Sequence, residues 1–326
     1  MDKPLNPTQI QHVDHVLETL AADSMPAKSG IAASWTRSYQ LHKLAPDEVR
    51  QAHRCEAPEL ARRRDAAGRL LKVATPTIDR LFLTLKLSGC SVVLCDTEGV
   101  ILHGRRRDGD AGDFAKAGLE VGEDWSENVR GTNGIGTCIA EKRRAVILRD
   151  QHYHARHIGM SCFGAPVFNS HGDLQAVLDI STCRENLDPA IQAMISQAIL
   201  DAAAQIEADH FCDEFADLRI IQTSTNTARA PSLLAVDSYD LVLGATRSAR
   251  KRFNLPLSSD FNPTPAADLI GDAQDRGIGL ESAERRELKR ALARADGNMS
   301  AAAKALGISR ATLYRRMTRA GLRAEN

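Results

Sequence analysis

The chain of 326 residues lacks a long apolar run and a paired set of cysteines, and each absence excludes a class of protein. No apolar stretch reaches the roughly 18–20 residues that a membrane-spanning helix needs. The polar segment 1–20 has no apolar centre of a signal peptide. The seven cysteines are odd in number and form no Cys-x-x-Cys pair, which argues against a disulfide framework or a zinc knuckle. We therefore expect a cytoplasmic protein without membrane contacts, whose cysteines are free thiols.

The formal net charge is zero, but the charges are distributed unevenly along the chain. Residues 281–326 contain eleven Lys and Arg against five Asp and Glu, whereas residues 201–280 contain seven against twelve. A basic tail is typical of a nucleic-acid contact, because it attracts the phosphate backbone. A solvated helix face gives the same charge pattern, so charge alone leaves both interpretations open.

Hydrophobic periodicity predicts a helical segment at 1–56 and an α+β domain at 57–215. In the first segment, Ile31, Trp35 and Tyr39 are spaced four apart, on one helix face, and Pro46 begins a further helix. The domain begins with a long amphipathic helix over 57–88 and ends with a helix over 188–215. The apolar runs between these helices predict strands at 91–95, 100–102, 146–148, 164–168 and 174–180. Helix, meander strands and helix together indicate a sensor-type domain.

Two further parts follow the sensor-type domain. Residues 222–232 are polar and rich in helix breakers, which predicts a linker. A small unit within 216–279 then has predicted strands at 233–236 and 241–243 and a basic helix at 246–253. The last part, 280–326, is predicted to be all-α.

The segment 299–318 has the spacing of a helix-turn-helix. Ser300 is expected to cap a helix that ends at Leu306, and Gly307 to supply the left-handed turn after it. Ile308 is expected to pack at the corner between the two helices, and Ser309 to cap the second helix. Leu313 and Met317 are expected to anchor that helix to the core. An amphipathic helix at 284–295, with Leu288 and Leu292 buried, precedes this motif.

The sequence ELKRALARADGNMSAAAKALGISRATLYRRMTRAGL resembles the factor-for-inversion-stimulation (Fis) type of helix-turn-helix, over about residues 284–322. The resemblance implies sequence-specific binding of double-stranded DNA by a homodimer. It places seven residues at the recognition helix, to be divided between base edges and phosphates: Ser309, Arg310, Ala311, Thr312, Arg315, Arg316 and Arg319. A helical hairpin used only for dimerisation is the alternative interpretation.

Three other stretches resemble the activators of acetoin and glycerol catabolism: SWTRS followed by HKLAPDEV, then ENVRGTNGIGTCIAE, then HYHARHIGMSCFGAPVFNSHGDLQAVLDIS. The resemblance implies a GAF domain, which is a sensor fold for a small-molecule effector. The stretch LLAVDSYDLVLGATRSARKRF resembles the small PAS-like domain that follows in many relatives. Those relatives usually carry an AAA+ ATPase, but this chain has no G-x-x-x-x-G-K-[ST] and no Gly-Lys dipeptide. We therefore expect no ATP hydrolysis.

The resemblance also implies an effector pocket in the GAF domain. We assign eight expected ligand-binding residues to it: Trp125, Asn133, Gly134, Gly136, Thr137, His152, Cys162 and Asp179. The glycine run 131–137 is also compatible with phosphate binding, although it does not match G-x-G-x-x-G and follows a polar loop. His152, His154 and His157 with Cys162 are compatible with a metal, but no ligand spacing is recognisable, so we expect neither metal nor cofactor.

These observations favour a transcriptional regulator over an enzyme. The expected fold is α+β, with a GAF sensor domain, a small PAS-like domain and an all-α C-terminal helix-turn-helix. The sequence does not decide whether RNA polymerase is a further partner. Two alternatives come from other classes: a constitutive nucleoid or architectural DNA-binding protein, and a thiol enzyme on the GAF scaffold that uses Cys90 or Cys138.

Overall fold

The computed structural model describes residues 4–22, 29–48, 54–185, 187–223, 230–257, 262–271, 280–295 and 297–322. The chain divides into two compact units, Met1–Pro263 and Thr264–Asn326. None of the helices in these described ranges is long and apolar enough to cross a membrane.

The N-terminal segment contains helices α1 (Pro7–Ala21) and α2 (Gly30–Thr36), and α2 continues into a π-helical turn at Arg37–Leu41. The Asn6 side chain accepts a hydrogen bond from the Gln9 N–H, which caps α1. The wider π turn changes the helical spacing, so Trp35 is 4% exposed whereas Tyr39 is 46% exposed. The predicted common face is therefore wrong at Tyr39. Pro46 lies in a turn, and a helix after it would fall on 49–53, outside the described residues.

The single helix predicted over 57–88 is wrong, because two helices occupy this stretch. Helix α3 spans Ala57–Ala66 and helix α4 spans Gly68–Leu85. Ala67, with non-helical φ −90° and ψ 10°, separates them. Helix α3 has no buried residue and is tied to a turn by ion pairs from Arg63, whereas α4 packs in the core. A 3-10 turn follows α4 and ends at Gly89, whose φ of 64° is left-handed.

An antiparallel five-stranded sheet forms the centre of the first unit, with strand order β2-β1-β5-β4-β3. Its strands are β1 (Cys90–Cys95), β2 (Ile101–Arg105), β3 (Ala145–Leu148), β4 (Ser161–Phe168) and β5 (Leu174–Thr182). All five were predicted from apolar runs and are confirmed within a few residues at their ends. Asp179 lies in the central strand, paired with Val93 on β1 and Gly164 on β4.

Helices cover both faces of this sheet. Helix α4 and the confirmed long helix α8 (Pro189–Glu214) pack on one face, against the apolar side chains of β1, β4 and β5. Arg69 and Lys72 at the start of α4 pair with Asp213 near the end of α8, so the two helices run antiparallel. The short helices α5 (Ala111–Ala117), α6 (Glu127–Arg130) and α7 (Gly134–Glu141) lie on the other face. The mixed helix-and-sheet architecture predicted for this domain is confirmed.

A second antiparallel arrangement follows α8. Strands β6 (Arg219–Gln222), β7 (Leu233–Val236) and β8 (Leu241–Ala245) pair in that order, and helix α9 (Arg247–Arg252) follows. Gln222 pairs with Leu233, so the predicted linker at 222–232 is wrong at its first residue; residues 224–229 lie outside the description. Arg250 is 1% exposed and donates to the carbonyl oxygens of Ser170 and Ala245, which joins this sheet to the β4–β5 turn.

The second unit contains the predicted helix-turn-helix. It comprises the short strand β9 (Thr264–Pro265) and helices α10 (Ala266–Ile270), α11 (Leu280–Arg294), α12 (Met299–Ala305) and α13 (Arg310–Arg319). The predicted cap at Ser300 is wrong, because the Asn298 side chain accepts from the Ser300 and Ala301 N–H groups, which places Ser300 inside the helix. The left-handed Gly307, with φ 65°, and the Ser309 cap are confirmed. Leu288, Leu313 and Met317 are buried together, as expected.

Candidate DNA interface and effector site

Helix α13 presents a polar face opposite its core anchors. Leu313 and Met317 are buried, and helical spacing places Ala311 and Arg315 on the opposite side, where both are exposed. Among the described residues, Arg315 has no ion-pair partner. The exposed arginine and the small alanine beside it therefore lie on the face of α13 that points away from its core anchors.

The other predicted DNA-contacting residues differ in their surroundings. Arg310 is exposed at the helix start, with its guanidinium 5.6 Å from the ring centroid of Tyr314. Arg316 and Arg319 pair with Glu284 and Glu281 of α11, at 3.1 and 3.2 Å. Ser309 caps the helix and Thr312 donates its N–H to that cap. We expect Arg316 and Arg319 to act on phosphates, because they extend from the sides of α13.

Two glycines allow α7 to lie directly on the sheet, and a third allows α7 to approach α6 closely. A Cβ at Gly134 would be 2.5 Å from Asp179 Oδ2 and 2.6 Å from Cys162 Cβ. A Cβ at Gly164 would collide with the Gly134 carbonyl oxygen, and one at Gly136 would be 2.5 Å from the Glu127 nitrogen. The Asn133 side chain accepts from the Ile135 and Gly136 N–H groups at the start of α7. The glycine motif therefore serves close helix–sheet packing, and the first N–H groups of α7 are already occupied.

A chain of buried polar side chains lies beneath the start of α7. His152 Nε2 is 3.3 Å from Cys162 Sγ, and Ser181 Oγ is 3.1 Å from that sulfur. Ser181 also donates to Asp179 Oδ1 at 2.5 Å. All four residues are at most 2% exposed. Three of the predicted ligand residues, His152, Cys162 and Asp179, are thus brought together, with Gly134 against them.

Trp125 lies in the same apolar cluster as Cys162, fully buried, and its Nε1 donates to the Gly118 carbonyl oxygen at 2.7 Å. The His157 ring packs on it with 4.9 Å between centroids. Asn133 donates to the Trp125 carbonyl oxygen, which joins the glycine motif to this pair. Thr137 lies apart from this group, because its hydroxyl faces Ser34 and Glu127. Gly136 lines a separate cavity of about 440 Å³ with His42, Asp124 and Glu127.

Three residues that sequence reasoning missed, Ser34, Arg37 and Glu127, join the N-terminal segment to the sensor domain. Ser34 and Glu127 also contact Thr137, which is one of the predicted ligand residues, and we call the four residues the N-terminal clasp. Glu127 is 5% exposed and accepts from Arg37 Nε at 2.9 Å and from Ser34 Oγ. Ser34 and Arg37 belong to SWTRS, and Glu127 and Thr137 to ENVRGTNGIGTCIAE. Two of the motifs that carry the family resemblance therefore contact each other.

Burial sets the protonation of the polar core. Burial raises the pKa of the Cys95, Cys138 and Cys162 thiols, which keeps them protonated. Burial lowers the pKa of His152 to about 4 and lowers that of His157, so both rings are neutral at pH 7. Within the described ranges, no group of three or more His, Cys, Asp or Glu side chains is arranged to hold a metal ion.

The variant Asp179→Asn tests the buried carboxyl. Burial raises the pKa of Asp179 from 3.8 to about 7, although the Ser181 hydrogen bond opposes this shift. Between these values the folded chain keeps a proton that the unfolded chain has lost, so this group lowers the free energy of unfolding as pH rises. We expect Asp179→Asn to remove this pH dependence. Its free energy of unfolding relative to wild type should therefore increase by about 2–4 kcal/mol as pH rises from about 4 to about 8. Urea unfolding across this range measures it, and a pH-independent difference would refute it.

The fold and the sites together define a class of protein, one that joins an α+β domain to a helix-turn-helix. Residues 279–319 match the family described as bacterial regulatory protein, Fis family. Residues 6–208 match the family described as MimR, N-terminal domain, and the chain belongs to this family. The resemblance predicted from the sequence motifs is confirmed.

Two relatives and one solved structure extend this assignment. The acetoin catabolism regulatory protein of Cupriavidus necator is 27% identical over 278 residues, 81% of this chain and 41% of the relative. The propane 2-monooxygenase operon transcriptional activator MimR of Mycolicibacterium smegmatis is 29% identical over 198 residues, 59% of this chain and 32% of the relative. The chain thus spans less than half the length of these relatives.

A chain in the crystal structure of the E. coli DhaR(N)-DhaL complex has a TM-score of 0.52 at 14% identity, covering 80% of this chain and 86% of that one. At this identity the likeness concerns the fold alone. It supports the GAF-like fold expected for the N-terminal domain.

Proposed function

We propose that this chain is a ligand-responsive transcriptional regulator that binds specific double-stranded DNA through residues 280–326 and a small-molecule effector through residues 57–215. One observation carries this: a helix-turn-helix with an outward arginine shares the chain with a sensor-type domain whose core holds unpartnered polar atoms. The similar proteins are regulators of acetoin catabolism and of a propane 2-monooxygenase operon. By analogy, the regulated genes serve the catabolism of a small organic compound.

The polar core supports an uncharged effector. Within the described residues, Asp179 Oδ2 and His157 Nδ1 are buried without a hydrogen-bond partner. Each such atom costs about 1–3 kcal/mol, which an effector's own polar groups would offset. Burial raises the pKa of Asp179, so this core disfavours a negative charge, which argues against an anionic effector. A cationic effector would face Arg130 and Arg156 beside His157. A small neutral polar molecule avoids both conflicts.

The N-terminal clasp supports a route by which effector binding reaches residues outside the core. Helix α7 touches Asp179 and Cys162 through Gly134, and reaches the clasp one turn later through Thr137. A movement of α7 caused by an effector would therefore change the contacts of Ser34 and Glu127. A ligand acts as a switch only if it binds one arrangement more tightly than the other. We propose that the clasp differs between these two arrangements.

The remaining assignments are proposals on the same basis. We propose domain boundaries of 1–56, 57–215, 216–279 and 280–326, with the β6–β8 sheet and α9 as a PAS-like unit. We propose a cytoplasmic protein that acts without catalysis. Contact with RNA polymerase is proposed because a similar protein is a transcriptional activator.

A homodimer is proposed because one recognition helix covers only a few base pairs, whereas two tethered helices gain from each other's binding. Leu288, one candidate for a dimer contact, is 3% exposed within its own unit, so it serves the monomer core. A better candidate lies where the end of α4 meets the start of α8. Four large apolar side chains are exposed there, to between 42% and 74%: Leu83, Leu87, Ile191 and Met194. Burial of this patch against a second copy would remove it from water.

The variant Met194→Asp tests this contact. Met194 is 71% exposed, so the substitution should leave the monomer folded while placing a charge in the dimer interface. We expect wild type to sediment as a dimer at micromolar concentration and Met194→Asp as a monomer. Tyr239→Asp, at an 84% exposed residue in the β7–β8 turn, is the matched control and should stay dimeric. A wild-type monomer, or a dimeric Met194→Asp, would contradict the proposal.

The proposed function itself is tested with the full chain and metabolite fractions. Native mass spectrometry identifies what the protein retains, and the affinity for its selected DNA is then measured with and without that compound. We expect a change in DNA affinity of about 5–150-fold. An affinity that no fraction alters would instead support a constitutive architectural DNA-binding protein. A thiol enzyme that uses Cys90 or Cys138 is less well supported, since within the described residues neither thiol has a histidine within hydrogen-bond distance.

A further inference from the structure

Cys162 lies within hydrogen-bond distance of a base, and burial raises its pKa, which keeps the thiol protonated until that base accepts the proton. His152 Nδ1 is 2.9 Å from the Arg149 carbonyl oxygen. A carbonyl oxygen only accepts, so Nδ1 carries the proton and Nε2 of the neutral ring is left as an acceptor. The Cys162 S–H therefore donates to Nε2 across 3.3 Å. This is the arrangement of a nucleophile and a general base whose orientation a third group fixes.

Asp179 supplies an acid close to Cys162. Ser181 donates to Oδ1, whereas Oδ2 has no partner among the described residues. The point in front of Gly134 that a Cβ would occupy is 2.5 Å from Oδ2 and 2.6 Å from Cys162 Cβ, so the oxygen and this carbon lie within about 5 Å of each other. Burial raises the pKa of Asp179 to about 7, which keeps a proton available on Oδ2.

We propose that Cys162 captures a small aldehyde by reversible addition, with His152 as the base and Asp179 as the acid. This inference rests on the proposed effector site and adds the chemical class of effector and its mode of binding. Addition of a thiol to a carbonyl group needs a base that accepts the thiol proton and an acid that donates a proton to the carbonyl oxygen. His152 and Asp179 supply these two groups beside Cys162.

The step balances without any further reactant. The S–C bond forms as the π bond of the C=O group breaks. The thiol proton moves to His152 Nε2, and the Asp179 Oδ2 proton moves to the former carbonyl oxygen, which gives a hemithioacetal. The resulting carboxylate keeps the Ser181 hydrogen bond, and the imidazolium and carboxylate regain their neutral forms by proton exchange. The adduct releases the aldehyde by the reverse path, so the event is binding and not turnover.

A route to the sulfur would have to begin at the edge of the core, because Cys162 itself is buried. A cavity of about 330 Å³ is lined by Met160 and Cys183, together with Arg149 and Arg156. Met160 is 2% exposed and belongs to the same apolar cluster as Cys162 and Trp125. Methionine side chains are flexible, so we propose that rotation of Met160 would open the core to this cavity. Only a molecule of a few heavy atoms fits such an opening.

The test uses the full chain and acetaldehyde labelled with ¹³C at the carbonyl carbon. We expect the ¹³C spectrum of the wild-type mixture to show one protein-bound tetrahedral carbon, which disappears on dialysis. Cys162→Ser should lose this signal, and Cys212→Ser, at an exposed cysteine of α8, should keep it. His152→Gln should retain the fold, as judged by circular dichroism, and form the adduct about 100-fold more slowly.

The outcomes separate this inference from the proposed function. No bound tetrahedral carbon in wild type, or the same signal in Cys162→Ser, would overturn covalent capture. If Cys162→Ser does not fold, an unchanged rate of adduct formation in folded His152→Gln would overturn it instead. A DNA affinity that responds to another compound without an adduct leaves the proposed function standing alone. An adduct without any change in DNA affinity, together with a DNA affinity that no other compound alters, would support covalent capture and contradict the proposed function.

Discussion

Replacement of Arg315 by alanine should reduce binding to selected DNA far more than binding to random DNA. Arg315 is exposed opposite the core anchors of α13 and has no ion-pair partner among the described residues, so its guanidinium is available to a guanine edge. A base-reading arginine contributes about 1–3 kcal/mol of discrimination, and Arg310→Ala should have an effect in the same range. Fluorescence anisotropy at fixed salt, with selected and random duplexes, measures both affinities.

The matched control is Arg62→Ala, an exposed arginine on α3 in the other compact unit, which should leave both affinities unchanged. Arg316→Ala should weaken binding to both duplexes by a similar factor and reduce the salt dependence, because we assign it to phosphates. Equal losses on both duplexes for Arg310→Ala and Arg315→Ala would show that these side chains contact phosphates and that our base-reading assignment is wrong.

Gly164→Ala should destabilise the sensor domain although it adds a single methyl group. The new Cβ would collide with the Gly134 carbonyl oxygen and lie 3.1 Å from Cys138 Cβ, so α7 would have to move away from the sheet. Overpacking of this kind costs about 1–3 kcal/mol, and here the obstacle is backbone, which relaxes poorly. We expect a loss of free energy of unfolding in that range or above it, measured by urea denaturation.

Gly68→Ala is the control for Gly164→Ala. Gly68 begins α4, and an added Cβ there meets no atom within 4 Å. This variant should be neutral or more stable by up to about 1 kcal/mol, because alanine favours a helix. Equal stability of Gly164→Ala and wild type would mean that α7 does not lie on the sheet as described.

Elements with a strong local signal were predictable from the sequence. Apolar runs gave every strand of the five-stranded sheet, and β7 falls on the predicted residues 233–236. Gly307 supplies the left-handed conformation of the turn, and Ser309 caps the helix that follows. Each of these roles depends on the type of a single residue, so the sequence reveals both. The predicted cap at Ser300 is wrong because Asn298, two residues earlier, is an equally good cap and its side chain accepts from the Ser300 N–H.

Features that depend on packing were not predictable. The break at Ala67 follows from α3 lying on the surface while α4 enters the core, which the continuous periodicity does not reveal. Strand β6 is half-exposed and carries too short an apolar run to stand out from a polar linker. The clasp joins Ser34 to Glu127 across 93 residues, and no local pattern signals such a pair. The sequence signal for this contact is that SWTRS and ENVRGTNGIGTCIAE both carry the family resemblance in one chain.

Selection of bound duplexes from a random DNA pool by the full chain tests the central claim most directly. We predict enrichment of a pseudo-palindrome whose half-sites are centred about one helical turn, 34–36 Å, apart, because two α13 helices on one dimer would enter adjacent major grooves. Arg315→Ala, tested in parallel, should lose that enrichment while still retaining DNA. Recovery of duplexes with no common sequence, by wild type at the same salt concentration, would contradict the account of this chain as a sequence-specific regulator.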